Sequence, residues 1–148
     1  MRNQTSSTIF AVAAMLAFSA APSTAQDETW KEAVLEQNKA FYDAFHGGDL
    51  PAMKNVWGHA EPIILDHPRG DRYNGREDVM SYWQWALPGS SPDISCDVTG
   101  VVRTGPTVTV YCDELLFEGT LEMKNIFHLE DGEWKMIYHG PPKRQGLS

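Results

Sequence analysis

The hydrophobic period of this chain changes near residue 93, and that switch limits its fold more than any single motif. Downstream, Ile94, Cys96, Val98 and Val102 alternate with Ser95, Asp97, Thr99 and Arg103, the period of about two that marks half-buried strands. Partner strands follow over residues 107–116, 119–130 and 133–139, with Asp131-Gly132 as a two-residue hairpin turn. Upstream, Trp30, Ala33, Val34, Phe41, Ala44 and Phe45 recur at helical spacing. They predict a helix over residues 28–46, stopped by Gly47-Gly48, with the polar Gln37 inside its apolar stripe. Asp49 caps a short second helix to about Trp57. Residues 62–67 form a short strand, and Asn74 with Glu77 spells a capping box for a third helix that ends before Pro88. Three helices followed by a meander of long strands is an α+β pattern, with the helices packed on one sheet face.

Residues 9–21 form an apolar stretch behind Arg2, and Ser23-Thr24-Ala25 supplies the small residues a signal peptidase reads. The expectation is a cleavable export signal over residues 1–25 and one periplasmic or secreted domain over residues 26–148. The alternative is a buried N-terminal helix. The stretch is shorter than the roughly 20 residues a membrane-spanning helix needs. Net charge is −8, or −9 once Arg2 is removed. Such a surface repels nucleic-acid phosphates and anionic lipid headgroups, so neither nucleic acid nor membrane is an expected partner.

Export makes the two cysteines readable. Folding the chain about residue 104 sets Cys96 opposite Cys112, on the face of Val98 and Val110, within reach of a disulfide. Two buried free thiols are the alternative. The Asp131-Gly132 turn sorts the last hairpin. Met123, Asn125, Phe127, Leu129, Trp134, Met136 and Tyr138 share the face expected to be buried. Lys124, Ile126, His128, Lys135, Ile137 and His139 share the outer one. In this register Asn125 and Tyr138 pair directly, two polar groups on an apolar wall.

The segment Phe41-Tyr42-Asp43-Ala44-Phe45-His46-Gly47-Gly48-Asp49-Leu50, then His67-Pro68 with Gly75-Arg76-Glu77 and Trp83, then Asp131-Gly132-Glu133-Trp134-Lys135-Met136-Ile137, resembles the SnoaL-like branch of the nuclear transport factor 2-like superfamily. The resemblance covers residues 28–142. It implies a cone, a curved antiparallel sheet wrapped over three helices with an apolar pocket inside, and commonly a homodimer through the outer sheet face. It implies no single activity, because isomerases, dehydratases, cyclases and non-catalytic modules share the fold. Many relatives end in a His-rich run; this chain has Tyr138-His139-Gly140-Pro141-Pro142 with one His.

Isomerases, cyclases and dehydratases of this fold need an acid–base group in a dry cavity and a donor for a developing oxyanion, without a cofactor. Asp66 and His67 are the sequence's candidates. As strand neighbours they point to opposite faces, so only one enters the pocket. His67 shares parity with Ile63 and Leu65 and is the expected base; the alternative is a strand end bonded into the following loop. Tyr138 and Asn125 are the expected donors, or else a buried pair satisfying each other. Gln37, Trp57 and Trp83 are candidates to line a pocket for a small apolar organic ligand, or else rim and core. The five histidines show no metal-ligand spacing, so no metal is expected.

Overall fold

The computed structural model describes residues 23–88 and 93–142. Of the expected export signal, residues 1–22 lie outside the described residues. Helix α1 (Ser23–Gly47) ends at Gly48, whose positive φ of 61° suits glycine, and Asp49 accepts a bond from Ala52 N at 2.9 Å to cap α2 (Leu50–Val56). Strands β1 (Ile64–Asp66) and β2 (Arg72–Asn74) form a small hairpin ahead of α3 (Arg76–Ala86). The expected capping box at Asn74 is not formed. Asn74 pairs with Ile64 as the last residue of β2, and Gly75, at φ 89°, takes the cap position. A carboxylate from elsewhere serves this helix end: Glu61 accepts from Arg76 N at 3.1 Å and from Ile63 N at 2.7 Å.

Four long strands follow, β3 (Ser95–Thr104), β4 (Thr107–Leu116), β5 (Gly119–Glu130) and β6 (Glu133–Gly140), within a residue or two of their expected spans. The sheet order is β2-β1-β6-β5-β4-β3. It is mixed rather than wholly antiparallel, because β1 runs parallel to β6. The sheet curves over the helices around Phe41, whose ring meets Tyr42, Trp57, Trp83 and His139 at centroid distances of 4.7–6.4 Å. Val34, Met53, Val79, Phe127 and Met136 complete this core.

Two β-bulges change the expected registers. The β3–β4 turn sits at Gly105-Pro106 rather than at residue 104, and Thr99 is left unpaired on β3. The net offset is two positions, so Cys96 stays on its face but lies opposite Glu114, while Cys112 lies opposite Val98. The disulfide therefore forms on the diagonal, with a Cα separation of 5.2 Å. On β6 the extra residue is Ile137, between Met136 paired with Phe127 and Tyr138 paired with Ile126. That one residue exchanges the faces of its successors. Tyr138 turns outward beneath Lys124, and His139 turns inward opposite Asn125, the reverse of the sequence expectation.

Candidate active site

Along β4, Val108, Val110, Cys112 and Glu114 point inward, and all four are buried. Three of these fit an apolar interior; Glu114, 3% exposed, is a carboxyl group there. Helix α1 brings Tyr42 to it, donating its hydroxyl to Glu114 Oε1 at 2.7 Å. From β6 the bulge brings His139, whose Nε2 lies 3.8 Å from the same oxygen, a contact too long to be a hydrogen bond. No hydrogen bond among the described residues engages Glu114 Oε2.

Asn125, fully buried, organises this cluster from behind. Its Nδ2 donates to Asn38 Oδ1 at 2.7 Å and to Tyr42 Oη at 3.2 Å, which uses both amide protons. Its Oδ1 therefore faces His139 Nδ1 at 2.7 Å as an acceptor, so Nδ1 carries the proton and Nε2 presents its lone pair. Burial pushes the Glu114 carboxyl up to about 7, against the lowering effect of the Tyr42 bond. Burial, with His67 nearby, pushes His139 down to about 3, so its ring is neutral. Tyr42 is raised out of the physiological range by burial and by Glu114, and it stays a donor.

Glu114 and His139 are among the polar residues lining a cavity of about 240 Å³. Its apolar walls include Phe45, Leu65, Tyr82, Trp83, Ile94 and Met123. Asp66, His67 and Pro68 line both this cavity and an adjoining open groove, so they form its rim. His67 is on the Leu65 side, as its parity requires, and its Nδ1 accepts from Arg69 N at 3.2 Å. His67 thus both faces the cavity and closes the loop. Asp66 is held by Tyr138, whose hydroxyl reaches Oδ2 at 2.9 Å, and by Arg72 Nε at 3.3 Å from Oδ1. Burial and the Asp66 bond raise Tyr138 out of range as well.

Trp83 is in the cavity wall, whereas Trp57 is core with no part in the lining. Gln37 is half-buried and also outside the lining; its neighbour Asn38 is the polar residue that α1 turns inward. Tyr138 does not pair with Asn125, because of the bulge. Asn38, Tyr42, Glu114 and His139 are the residues sequence reasoning missed. Asn38 and Tyr42 follow Val34 at intervals of four on the buried face of α1, and Glu114 continues the parity of Val108, so three of the four had a visible signal.

A ring-walled cavity with Glu114 and His139 in its lining thus sits inside a curved sheet packed over helices. The sequence profile of the SnoaL-like domain matches residues 38–137, and the chain belongs to that family. A candidate calcium/calmodulin-dependent protein kinase type II association domain from Thiobacillus denitrificans is 24% identical. It aligns with a TM-score of 0.64 over 73% of this chain and 93% of its own. A candidate dehydratase of the NTF2-like family from Streptomyces avermitilis is 24% identical, with a TM-score of 0.63 over 76% and 94%. An NTF2-like protein of unknown function from Shewanella oneidensis is 16% identical, with a TM-score of 0.60 over 74% and 95%. These likenesses are in fold. A comparison with curated proteins finds no match.

Proposed function

We propose that this SnoaL-like domain binds a small, largely apolar organic molecule and moves protons on it, in an isomerisation, cyclisation or dehydration, with Glu114 as the base. The supporting observation is the Glu114 carboxyl, pushed to about 7 on the wall of an apolar cavity. A carboxyl poised there takes a proton at neutral pH and gives it back. In an isomerisation it takes the proton from a carbon beside a carbonyl and returns it further along the conjugated system. In a dehydration it takes the carbon proton and delivers it to the departing hydroxyl, which leaves as water. Tyr42 holds the carboxylate in place, and neutral His139 supplies a second lone pair. His67, the base expected from sequence, stands at the rim and screens the entrance. The cavity, at about 240 Å³, is smaller than drug-sized pockets, which favours a compact substrate.

The test is deuterium exchange in heavy water over a panel of small ketones and enones. Glu114→Gln, which keeps the acceptor for Tyr42, is expected to lower exchange by about 10²–10⁴-fold. Equal exchange with both proteins would sink the reading.

A second reading, dimerisation through the outer sheet face, is supported by Val102 and Tyr111, which stand exposed there beside the half-buried Ile126. Val102→Glu with Ile126→Glu is expected to halve the mass measured by light scattering; an unchanged mass counts against that interface. The disulfide is compatible with export, as is the lack, among the described residues, of a helix long and apolar enough to cross a membrane. Within this proposal the domain works outside the cytoplasm.

A further inference from the structure

Among the described residues, strand β3 is the sheet edge and has β4 as its only ladder partner. The residue just ahead of it touches two spaces. Ile94 lines the cavity on one side and, on the other, an open groove that also touches Cys96, Asn38 and Tyr42. The end of an edge strand is where a sheet frays first, and fraying here would let groove water into the cavity. Cys96 is the register partner of Glu114, and its disulfide crosses to Cys112, two residues before Glu114 on the same face. The bond also touches the polar cluster. Asn38 Nδ2 lies 3.4 Å from Cys96 Sγ and 3.8 Å from Cys112 Sγ, and Asn125 Nδ2 lies 3.9 Å from Cys112 Sγ.

We propose that the Cys96–Cys112 bond is a positioning element of the Glu114 site, a clamp that holds the β3 edge as the partition between groove and cavity. This rests on the assignment of Glu114 as the working carboxyl. With the clamp closed, the carboxyl is dry. With it open, residues 95–98 part from β4 and water reaches the carboxyl. The groups around Glu114 are Tyr42 from α1 and His139 from β6, with Asp66, His67 and Arg69 at the cavity rim and Tyr82 from α3. None of these is carried by β3, so parting the edge changes hydration and leaves the charges in place.

The experiment is a carbon-13 NMR titration of the side-chain carboxyls of the full chain, with the Glu114 signal identified by its loss in Glu114→Gln. It is run on the oxidised protein, on protein reduced with a water-soluble phosphine, and on Cys96→Ala/Cys112→Ala. In the reduction the phosphine is oxidised to its oxide with oxygen from water, and the two sulfurs become thiols. The oxidised protein should titrate at about 7. Opening the bond should lower that midpoint by about one pH unit or more, towards the ordinary carboxyl range, because hydration favours the charged form. A midpoint unchanged in folded protein overturns the proposal. Loss of near-ultraviolet circular dichroism in both the reduced and the double-alanine forms overturns it too, since the bond then serves global folding. No turnover is needed for this readout. An oxidised midpoint in the ordinary range would instead remove the case for Glu114 as the base.

Discussion

Two carboxylate–histidine pairs stand around the cavity, and they are built in opposite ways. Asp66 and His67 are neighbours in the chain, and the alternation of β1 separates them: one turns to Tyr138 and Arg72, the other to the cavity rim. Glu114 and His139 are on different strands with β5 between them, and their inward side chains meet at 3.8 Å on the concave face. In a sheet, adjacency in sequence divides side chains and a shared face unites them. A functional pair is therefore sought across strands rather than along one.

The largest expected difference between the two regions is in stability. Asn125→Leu keeps the volume but strips the inner cluster of three side-chain partners, leaving Asn38, Tyr42 and His139 buried and short of hydrogen bonds. A loss of roughly 3–5 kcal/mol in urea unfolding is expected. A loss below that of a rim substitution would show that the inner cluster is not the better-organised pair.

A pH series sharpens the contrast next. The folded chain holds the Glu114 proton up to about 7, above the ordinary 4.5, so this group costs stability progressively as pH rises through that window. His139 is held at about 3, below the ordinary 6.5, so its cost is present in acid and is relieved as pH rises from 3 to 6.5. The two slopes oppose each other between 4.5 and 6.5, and the wild-type profile there is expected to be flat. Glu114→Gln removes one slope, so its stability should climb with pH across the same range. Parallel urea profiles for the two proteins would contradict this assignment.

The smallest effect is expected at the rim. Asp66→Asn exchanges a partly exposed carboxylate for a neutral acceptor, keeps a site for the Tyr138 hydroxyl, and weakens the Arg72 contact. It should cost about 0.5–1.5 kcal/mol. A loss as large as that of Asn125→Leu would erase the distinction between rim and interior.

Most of the fold was legible because its signals are local. The alternation in residues 107–116 and 119–130, the Asp131-Gly132 turn and the Asp49 cap each depend on residues within a few positions of one another. The register was not. Thr99 and Ile137 are ordinary strand residues by composition, and nothing in their identity says that each sits unpaired on a bulge. The Gly75 cap position was hidden in the same way, because Asn74 looks like a better cap than the glycine that the chain turn requires. At the site, Glu114 could be read by parity with Val108 and Val110. His139 could not, since its inward position depends on one uncounted residue.

The bulge at Ile137 has a consequence for how such a pocket diversifies. A relative of the same length without the bulge would pair Ile137 with Ile126, and the residues after it would trade places: a phenol would enter the cavity and an imidazole would leave it. No amino acid at the site would have been substituted. A change in pairing of one position, with the chain length unaltered, would exchange one chemistry for another, so related pockets compared column by column in an alignment would appear to share residues that their interiors do not.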